Sequence, residues 1–170
     1  MKYKLVAFWL VVFGALFAFL QTRFEYHFYY IEQSQLFLFT EAYIRNKLLL
    51  PGGFSMLVAE FLVQFFIRPY VGALVTAALL TGVGVCTAGI VKRIAPVSGL
   101  FILYVLPMLA LLFMHFDFNY RVQGTVCYLM MMALLCGYMR IRNDLFRLVA
   151  GCVLVPVLFL SLIHISEPTS

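Results

Sequence analysis

Charged residues are scarce in this sequence, and their scarcity bounds the class of protein. Only 11% of the 170 residues are Asp, Glu, Lys or Arg, whereas 65% are hydrophobic and 17% are aromatic. A soluble domain has roughly a quarter charged and about half apolar residues. A small globule also has too much surface to hide so many apolar side chains. The composition therefore argues against an ordinary soluble domain and indicates a polytopic membrane protein, whose apolar surface faces lipid.

The common signatures of metal, nucleotide and nucleic-acid sites are also missing. Four cysteines lie within apolar segments and lack C-x-x-C spacing, so we interpret them as small buried hydrophobes: Cys86, Cys127, Cys136 and Cys152. His27 and His115 are isolated in sequence, so no metal site and no cofactor is expected. Basic residues are scattered at segment ends, so the net charge of +5 does not indicate nucleic-acid binding.

Apolar runs predict an all-α fold, a polytopic transmembrane helix bundle with interfacial helices in a long first outer loop. The predicted transmembrane domain covers residues 1–160, with spans at about 3–20, 70–91, 97–116, 122–139 and 148–160. The first run follows Lys2 and Lys4, and no small-residue cleavage pattern follows it. We therefore interpret it as an uncleaved anchor, with a signal peptide as the alternative.

Residues 21–68 form the long region that is neither plainly water-soluble nor plainly membrane-spanning. Residues 24–31 hold two Phe, three Tyr and a His, a mixture typical of the membrane–water interface. Four apolar residues of the following stretch share one helical face: Leu36, Phe39, Tyr43 and Ile44. We predict an interfacial or re-entrant helix at about 32–47, broken by Pro51-Gly52-Gly53.

A second interfacial or re-entrant helix is predicted at about 54–67. It has about 14 residues before Arg68-Pro69, which is short for a membrane crossing. Glu60, Gln64 and Arg68 recur every four residues and form one narrow polar stripe, as in a helix that lies in the interface. The alternative is that this segment crosses the membrane.

The distribution of basic residues predicts the topology. If 54–67 does not cross, Lys92, Arg93 and the cluster at 140–147 share one side with Lys2 and Lys4, while the acids of the other side balance its basic residues. By the positive-inside rule, the N-terminus is then cytoplasmic and the aromatic stretch lies outside.

Small residues recur within the predicted span at 70–91. Ala78, Gly82 and Cys86 recur at intervals of four residues, as do Ala73, Ala77 and Thr81. Such spacing lets helix backbones approach closely. We predict that this helix is the packing centre of the bundle, with a dimer contact as the alternative.

The last ten residues change character abruptly. Residues 161–170, SLIHISEPTS, resemble the translated read-through of a sequencing adapter, so we interpret them as an artefactual tail. We expect that the natural chain continues beyond Leu160 and that the sequence is the N-terminal part of a larger protein.

Four sequence segments resemble an uncharacterised family of bacterial polytopic inner-membrane proteins. They are the aromatic run ending in YYIEQ (Phe24–Gln33), QLFLFT (Gln35–Thr40), LPGG (Leu50–Gly53) and FLVQFFIRPYVGAL (Phe61–Leu74). The resemblance covers roughly residues 1–160 and implies the bacterial inner membrane and longer relatives. It implies no established activity.

The candidate functional residues lie on the predicted outer face of the membrane. The chain order resembles the N-terminal part of membrane glycosyltransferases that use polyprenyl-phosphate sugars. In both, a first span is followed by an outer segment that carries acidic residues and then by a helix bundle. In that hypothesis Glu25 or Glu32 is the general base, and Arg45 or Arg121 holds the donor phosphate. Those enzymes usually carry adjacent acids, whereas the glutamates here are separate. The alternative is that these charges only solvate the outer face in weak ion pairs.

Two further acids are candidate site residues. Asp117, in the loop from His115 to Arg121, is a candidate catalytic acid together with Glu25 and Glu32, because it lies on the same predicted side, and it is also a candidate for a water-accessible transport path. Glu60 would serve a proton or ion path if its helix enters the membrane, and otherwise faces the headgroups. The function classes left open are a lipid-linked sugar enzyme, a transporter or channel subunit, and a scaffold with membrane-protein partners in the lipid bilayer.

Overall fold

Helices form nearly all of the described backbone. The computed structural model describes residues 2–35, 37–50, 52–94, 101–117 and 119–163. Over these residues it has eight α-helices, one short 3-10 helix and no strand. The α-helices are α1 (Lys2–Arg23), α2 (Glu25–Ser34), α3 (Glu41–Leu48), α4 (Gly53–Val63), α5 (Val71–Ile94), α6 (Phe101–Met114), α7 (Val122–Tyr138) and α8 (Asp144–Ile163), and the 3-10 helix is Gln64–Ile67. The predicted all-α class is confirmed.

Helix α5 is the packing centre, as its small residues predicted. It packs against α1, α6 and α7, and its first turns also touch α2 and the 3-10 helix. Ala73 and Ala77 are fully buried in the main apolar core, together with Leu80 and Val83. Ala78 faces outward instead, because it lies on the opposite side of the helix from Ala73 and Ala77.

The predicted single helix at 32–47 is wrong. Helix α2 ends at Ser34 and α3 begins at Glu41, and the described residues between them are not helical. The Phe37 carbonyl accepts a hydrogen bond from the Gln64 amide (2.9 Å), and its ring packs edge-on against Phe61. These contacts with the next helical segment hold the chain extended where local periodicity favoured a helix.

The helix predicted at 54–67 is present as α4 and the 3-10 helix. Gly52 has a φ of 71°, the left-handed conformation that glycine adopts without strain. A Cβ on Gly53 would lie 1.8 Å from the Lys47 carbonyl oxygen, so only glycine permits this close approach. The turn at Gly52 and Gly53 therefore brings α3 directly against α4.

Helix α4 is more buried than the predicted interface position suggested. Met56, Ala59 and Val63 are buried on one face, and α4 packs against α7. The buried residues of α7 lie in its first turns, from Val122 to Cys127. Helix α4 thus covers one end of α7 rather than lying apart from the bundle.

Among the described residues, two helices are long and apolar enough to cross a membrane by length and composition, Tyr3–Arg23 and Val71–Ile94. Three shorter apolar helical segments accompany them, at Gly53–Ile67, Ile102–Met114 and Val122–Tyr138. The last helix, α8, runs to Ile163 and so includes the first three residues of the predicted artefactual tail. Residues 164–170 lie outside the described residues, and the interpretation of the tail stays a prediction.

Candidate functional site

A network centred on Glu60 joins α3 to α4. The Lys47 ammonium lies 2.8 Å from Oε1 of Glu60, and the Tyr43 hydroxyl donates a hydrogen bond to Oε2 over 2.5 Å. Tyr43 and Lys47 are four residues apart, so both project from one face of α3. The two charged side chains are only 23% and 13% exposed. The carboxylate is therefore held by two donors on the neighbouring helix.

The protonation state of Tyr43 suits this arrangement. Burial raises the pKa of the Tyr43 phenol well above its ordinary value, and the hydrogen bond and negative charge of Glu60 add to the rise. The phenol therefore keeps its proton and remains a donor at neutral pH. The Lys47 ammonium also lies 5.4 Å from the centre of the Tyr43 ring, a cation–π geometry that reinforces the contact.

The three residues of the predicted polar stripe, Glu60, Gln64 and Arg68, have different surroundings. Glu60 binds Lys47 and Tyr43, and Gln64 donates to the backbone of Phe37. Arg68 is exposed beyond the end of the 3-10 helix. The sequence spacing found the shared face but not these partners, because each partner lies in an earlier segment of the chain.

A second polar cluster lies where α2 meets the end of α6. His115 is buried, and its Nδ1 donates to the Leu111 carbonyl oxygen over 2.9 Å. Its ring lies 4.9 Å from the Tyr120 ring, whose hydroxyl is 3.2 Å from Oγ1 of Thr125. His27 of α2 is also buried and interacts electrostatically with both His115 and Asp117.

Burial determines the charge of His27. It lowers the pKa of the imidazole below its ordinary value, and the nearby Asp117 carboxylate only partly opposes the shift. His27 is therefore neutral at neutral pH. Sequence reasoning treated the two histidines as isolated, because 88 positions separate them and only the packing of α2 on the bundle brings them together.

This burial predicts that acid destabilises the protein. In the unfolded chain His27 has its ordinary pKa of 6.5, and in the folded chain the pKa is lower. The stabilising contribution is complete above pH 6.5 and is lost as the pH falls toward the folded-state value. We expect the Tm in detergent micelles to fall between about pH 7.5 and about pH 5.5, and to fall less in His27→Gln.

Asp117→Asn is a second test of this pH dependence. It removes the charge that raises the pKa of His27 and leaves the side-chain size unchanged, so the fall in Tm should become steeper. A pH profile that is identical in the wild type and both variants would contradict the burial argument.

Comparison with known protein families identifies a family that matches nearly the whole chain. The family of unknown function DUF6057 matches residues 1–163. The chain belongs to that family. This confirms the resemblance to an uncharacterised family, and DUF6057 membership brings no activity with it. No curated protein and no solved structure matches the chain.

The predicted site residues of this DUF6057 chain are distributed over several elements. Glu25 begins α2, and its side chain lies outside the described residues. Glu32, on the same helix, is half-buried, and Arg45 is exposed on α3. Neither Glu32 nor Arg45 forms an ion pair with a described residue. Their proposed roles as general base and phosphate-binding residue stay predictions.

The remaining candidates lie in the loop that joins α6 to α7. Asp117 is exposed, and its carboxylate accepts the Asn119 backbone N–H over 2.9 Å. Arg121 is exposed immediately before α7. The described residues contain no group of three or more His, Cys, Asp or Glu side chains placed to hold a metal ion.

Proposed function

We propose that this chain is an integral protein of the bacterial inner membrane with a cytoplasmic N-terminus. The observation that supports it best is the apolar exterior of the helices. Leu10 on α1 is 65% exposed, and Ile102 and Phe113 on α6 are 78% and 72% exposed. Each would cost about 25 cal/mol per Å² of apolar surface in water, whereas lipid removes that cost. Large exposed apolar surfaces mark an interaction or membrane surface.

The packing also supports the proposed topology. The end of α1, the start of α5 and the end of α6 lie at one end of the bundle, since α2 contacts both the 3-10 helix and α5 and His27 interacts with His115. At the opposite end, the Arg93 guanidinium donates to the carbonyl of Met139. That contact brings Arg93 to the end of α7, just before the basic cluster at 140–147, which supports a shared cytoplasmic face.

The position of α4 supports the interpretation that residues 54–67 do not cross the membrane. Its first turn reaches α7 through a hydrogen bond between Ser55 and Cys127, which is in the second turn of α7. Its other end continues into the 3-10 helix, which contacts α2 and the start of α5. Both ends of α4 are therefore near the outer end of the bundle, and its 11 residues span far less than a membrane.

Within the membrane we propose a scaffold or assembly role for this part of the protein. Glu60, the candidate for a proton or ion path, is held in an ion pair that fastens α3 to α4. Such a pair makes Glu60 a structural group, which weakens the transporter hypothesis. The described structure gives no comparable contact that favours the lipid-linked sugar enzyme, so that hypothesis stays a prediction.

Reporter fusions test the membrane proposal. Alkaline phosphatase, which is active outside the cytoplasm, should be inactive when fused after Arg93 and active when fused after Leu50 or Asn119. Activity after Arg93 and none after Asn119 would mean that α4 crosses the membrane. Inactivity at all three positions would contradict membrane insertion. Green fluorescent protein fused at the same positions is the matched control, because it fluoresces in the cytoplasm.

A further inference from the structure

Helix α2 is held on the bundle by the rings on its inner side. Phe28 packs edge-on against Phe66, with ring centres 5.4 Å apart, and it lies so close to α5 that a Cβ on Gly72 would be 2.7 Å from its Cγ. Phe24, which precedes α2, packs against Phe116 after the end of α6, with ring centres 5.1 Å apart. A helix of 10 residues is marginal in isolation, so these packing contacts keep α2 in place.

An imidazole lies within this apolar contact. His27 is 5% exposed, and its ring centre is 5.5 Å from that of Phe24 and 6.5 Å from that of Phe28. Burial lowers the pKa of this imidazole, so the docked helix favours neutral His27. If α2 leaves the bundle, His27 regains its ordinary pKa of 6.5 and takes up a proton below that pH. Acid therefore favours the undocked state.

His115 brings a second imidazole to the same contact. Because its Nδ1 donates to the Leu111 carbonyl oxygen, the Nε2 of the neutral ring carries the lone pair. This Nε2 is buried and has no hydrogen-bond partner within the described structure. A proton there would create a buried positive charge without an acceptor. His115 also interacts electrostatically with His27, so a charge on either ring opposes a charge on the other while α2 is docked.

Few charged side chains surround the two histidines. In the described parts of the neighbouring elements they are Arg23, Glu32, Arg68, Asp117 and Arg121. Asp117 interacts electrostatically with His27, but its exposed carboxylate only partly opposes the effect of burial. Tyr120, which contacts the His115 ring, keeps its proton because burial raises the pKa of the phenol. The two histidines are therefore the described groups of this contact whose charge changes between about pH 5 and about pH 7.5.

We propose that His27 and His115 form an acid-sensitive latch, which releases α2 from an otherwise intact bundle when the pH outside the membrane falls. Each histidine takes up a proton from solvent, and the rings of Phe24 and Phe28 become exposed. The freed segment ends at Phe37, because the Gln64 amide donates to the Phe37 carbonyl and holds the chain there. The position of the latch outside rests on the proposed topology, whereas the release itself does not.

Hydrogen exchange tests this local release. The purified chain in dodecyl maltoside micelles is exchanged at about pH 7.5 and about pH 5.0, and mass spectrometry compares peptides of α2 with peptides of α5. Rates are corrected for the intrinsic pH dependence of amide exchange. We expect the protection of α2 to fall about tenfold at the lower pH, since one histidine with an ordinary pKa of 6.5 that stays neutral when docked permits at most about thirtyfold. The protection of α5 should not change.

Variants assign the response to the histidines. His27→Gln and His115→Gln should each reduce it, and the double variant should abolish it. Glu32→Gln, which removes a half-buried carboxylate of the same helix, is the matched control and should respond like the wild type. In the wild type the loss of protection should begin just below about pH 6.5, whereas release driven by carboxylates would begin only below about pH 5.

Four outcomes would overturn the proposal. They are full protection of α2 at the lower pH, an equal response of the double variant and the wild type, a loss of the response in Glu32→Gln, and a simultaneous loss of protection in α2 and α5, which would mean global unfolding. If the double variant fails to dock α2 even at about pH 7.5, the wild-type onset decides, and an onset below about pH 5 would contradict the latch. The reporter fusions assess the topology separately, so its failure is distinguishable.

Discussion

Glu60→Ala is expected to destabilise the protein by about 2–3 kcal/mol, because it removes two charge-assisted hydrogen bonds and leaves the Lys47 ammonium partly buried without its carboxylate. The loss of stability should be largest where α3 contacts α4, because the Glu60 network joins these two helices. Thermal unfolding in detergent micelles measures the change as a fall in Tm. Limited proteolysis should then cut first between α2 and α4.

The matched control is Glu41→Ala on α3. Glu41 is exposed and forms no ion pair with a described residue, so its loss should change stability by less than about 0.5 kcal/mol. The double variant Lys47→Met/Glu60→Ala should recover part of the loss, because it removes the charge left without a partner. Equal Tm values for Glu60→Ala and Glu41→Ala would contradict the conclusion that the Glu60 network fastens α3 to α4.

The parts of the fold that could be predicted were those encoded locally. Apolar runs bounded by basic pairs located α5 and α7 to within a few residues, and Pro51-Gly52-Gly53 located the start of α4. The gap between α2 and α3 could not be predicted in this way. There the backbone follows contacts of Phe37 with Phe61 and Gln64, which lie 24 and 27 positions further along the chain.

The polar clusters were harder to predict for the same reason. Glu60 was singled out as a candidate for a proton or ion path, but its partners could not be found, because they are 13 and 17 positions away across a glycine turn. Glu41 and Arg45 are four residues apart on α3, a spacing that favours an ion pair, yet they form no ion pair with each other in the described structure. The Gly52-Gly53 turn was the available signal, since it brings the end of α3 against the start of α4.

Gly84→Ala is expected to destabilise the contact of α1 with α5 by about 1–3 kcal/mol. A Cβ at this position would lie 2.6 Å from Cη2 and Cζ3 of the Trp9 ring, which is well inside contact distance. Trp9 is buried in a small cluster with Ala88 and Tyr104, so the ring has little room to move. The higher helix propensity of alanine, worth up to about 1 kcal/mol, offsets only part of this cost. The fall in Tm in detergent micelles is the measurement.

Gly14→Ala is the matched control, since the same substitution in α1 would place a Cβ with nothing within 4 Å. It should leave the Tm unchanged or raise it through helix propensity alone. Trp9→Leu shortens the opposing side chain, so Gly84→Ala should destabilise the Trp9→Leu variant much less than the wild type. Such a cycle isolates the steric term from propensity, because propensity acts equally in both backgrounds. If Gly84→Ala and Gly14→Ala gave the same Tm, the close approach of the Trp9 ring on α1 to Gly84 on α5 would be contradicted.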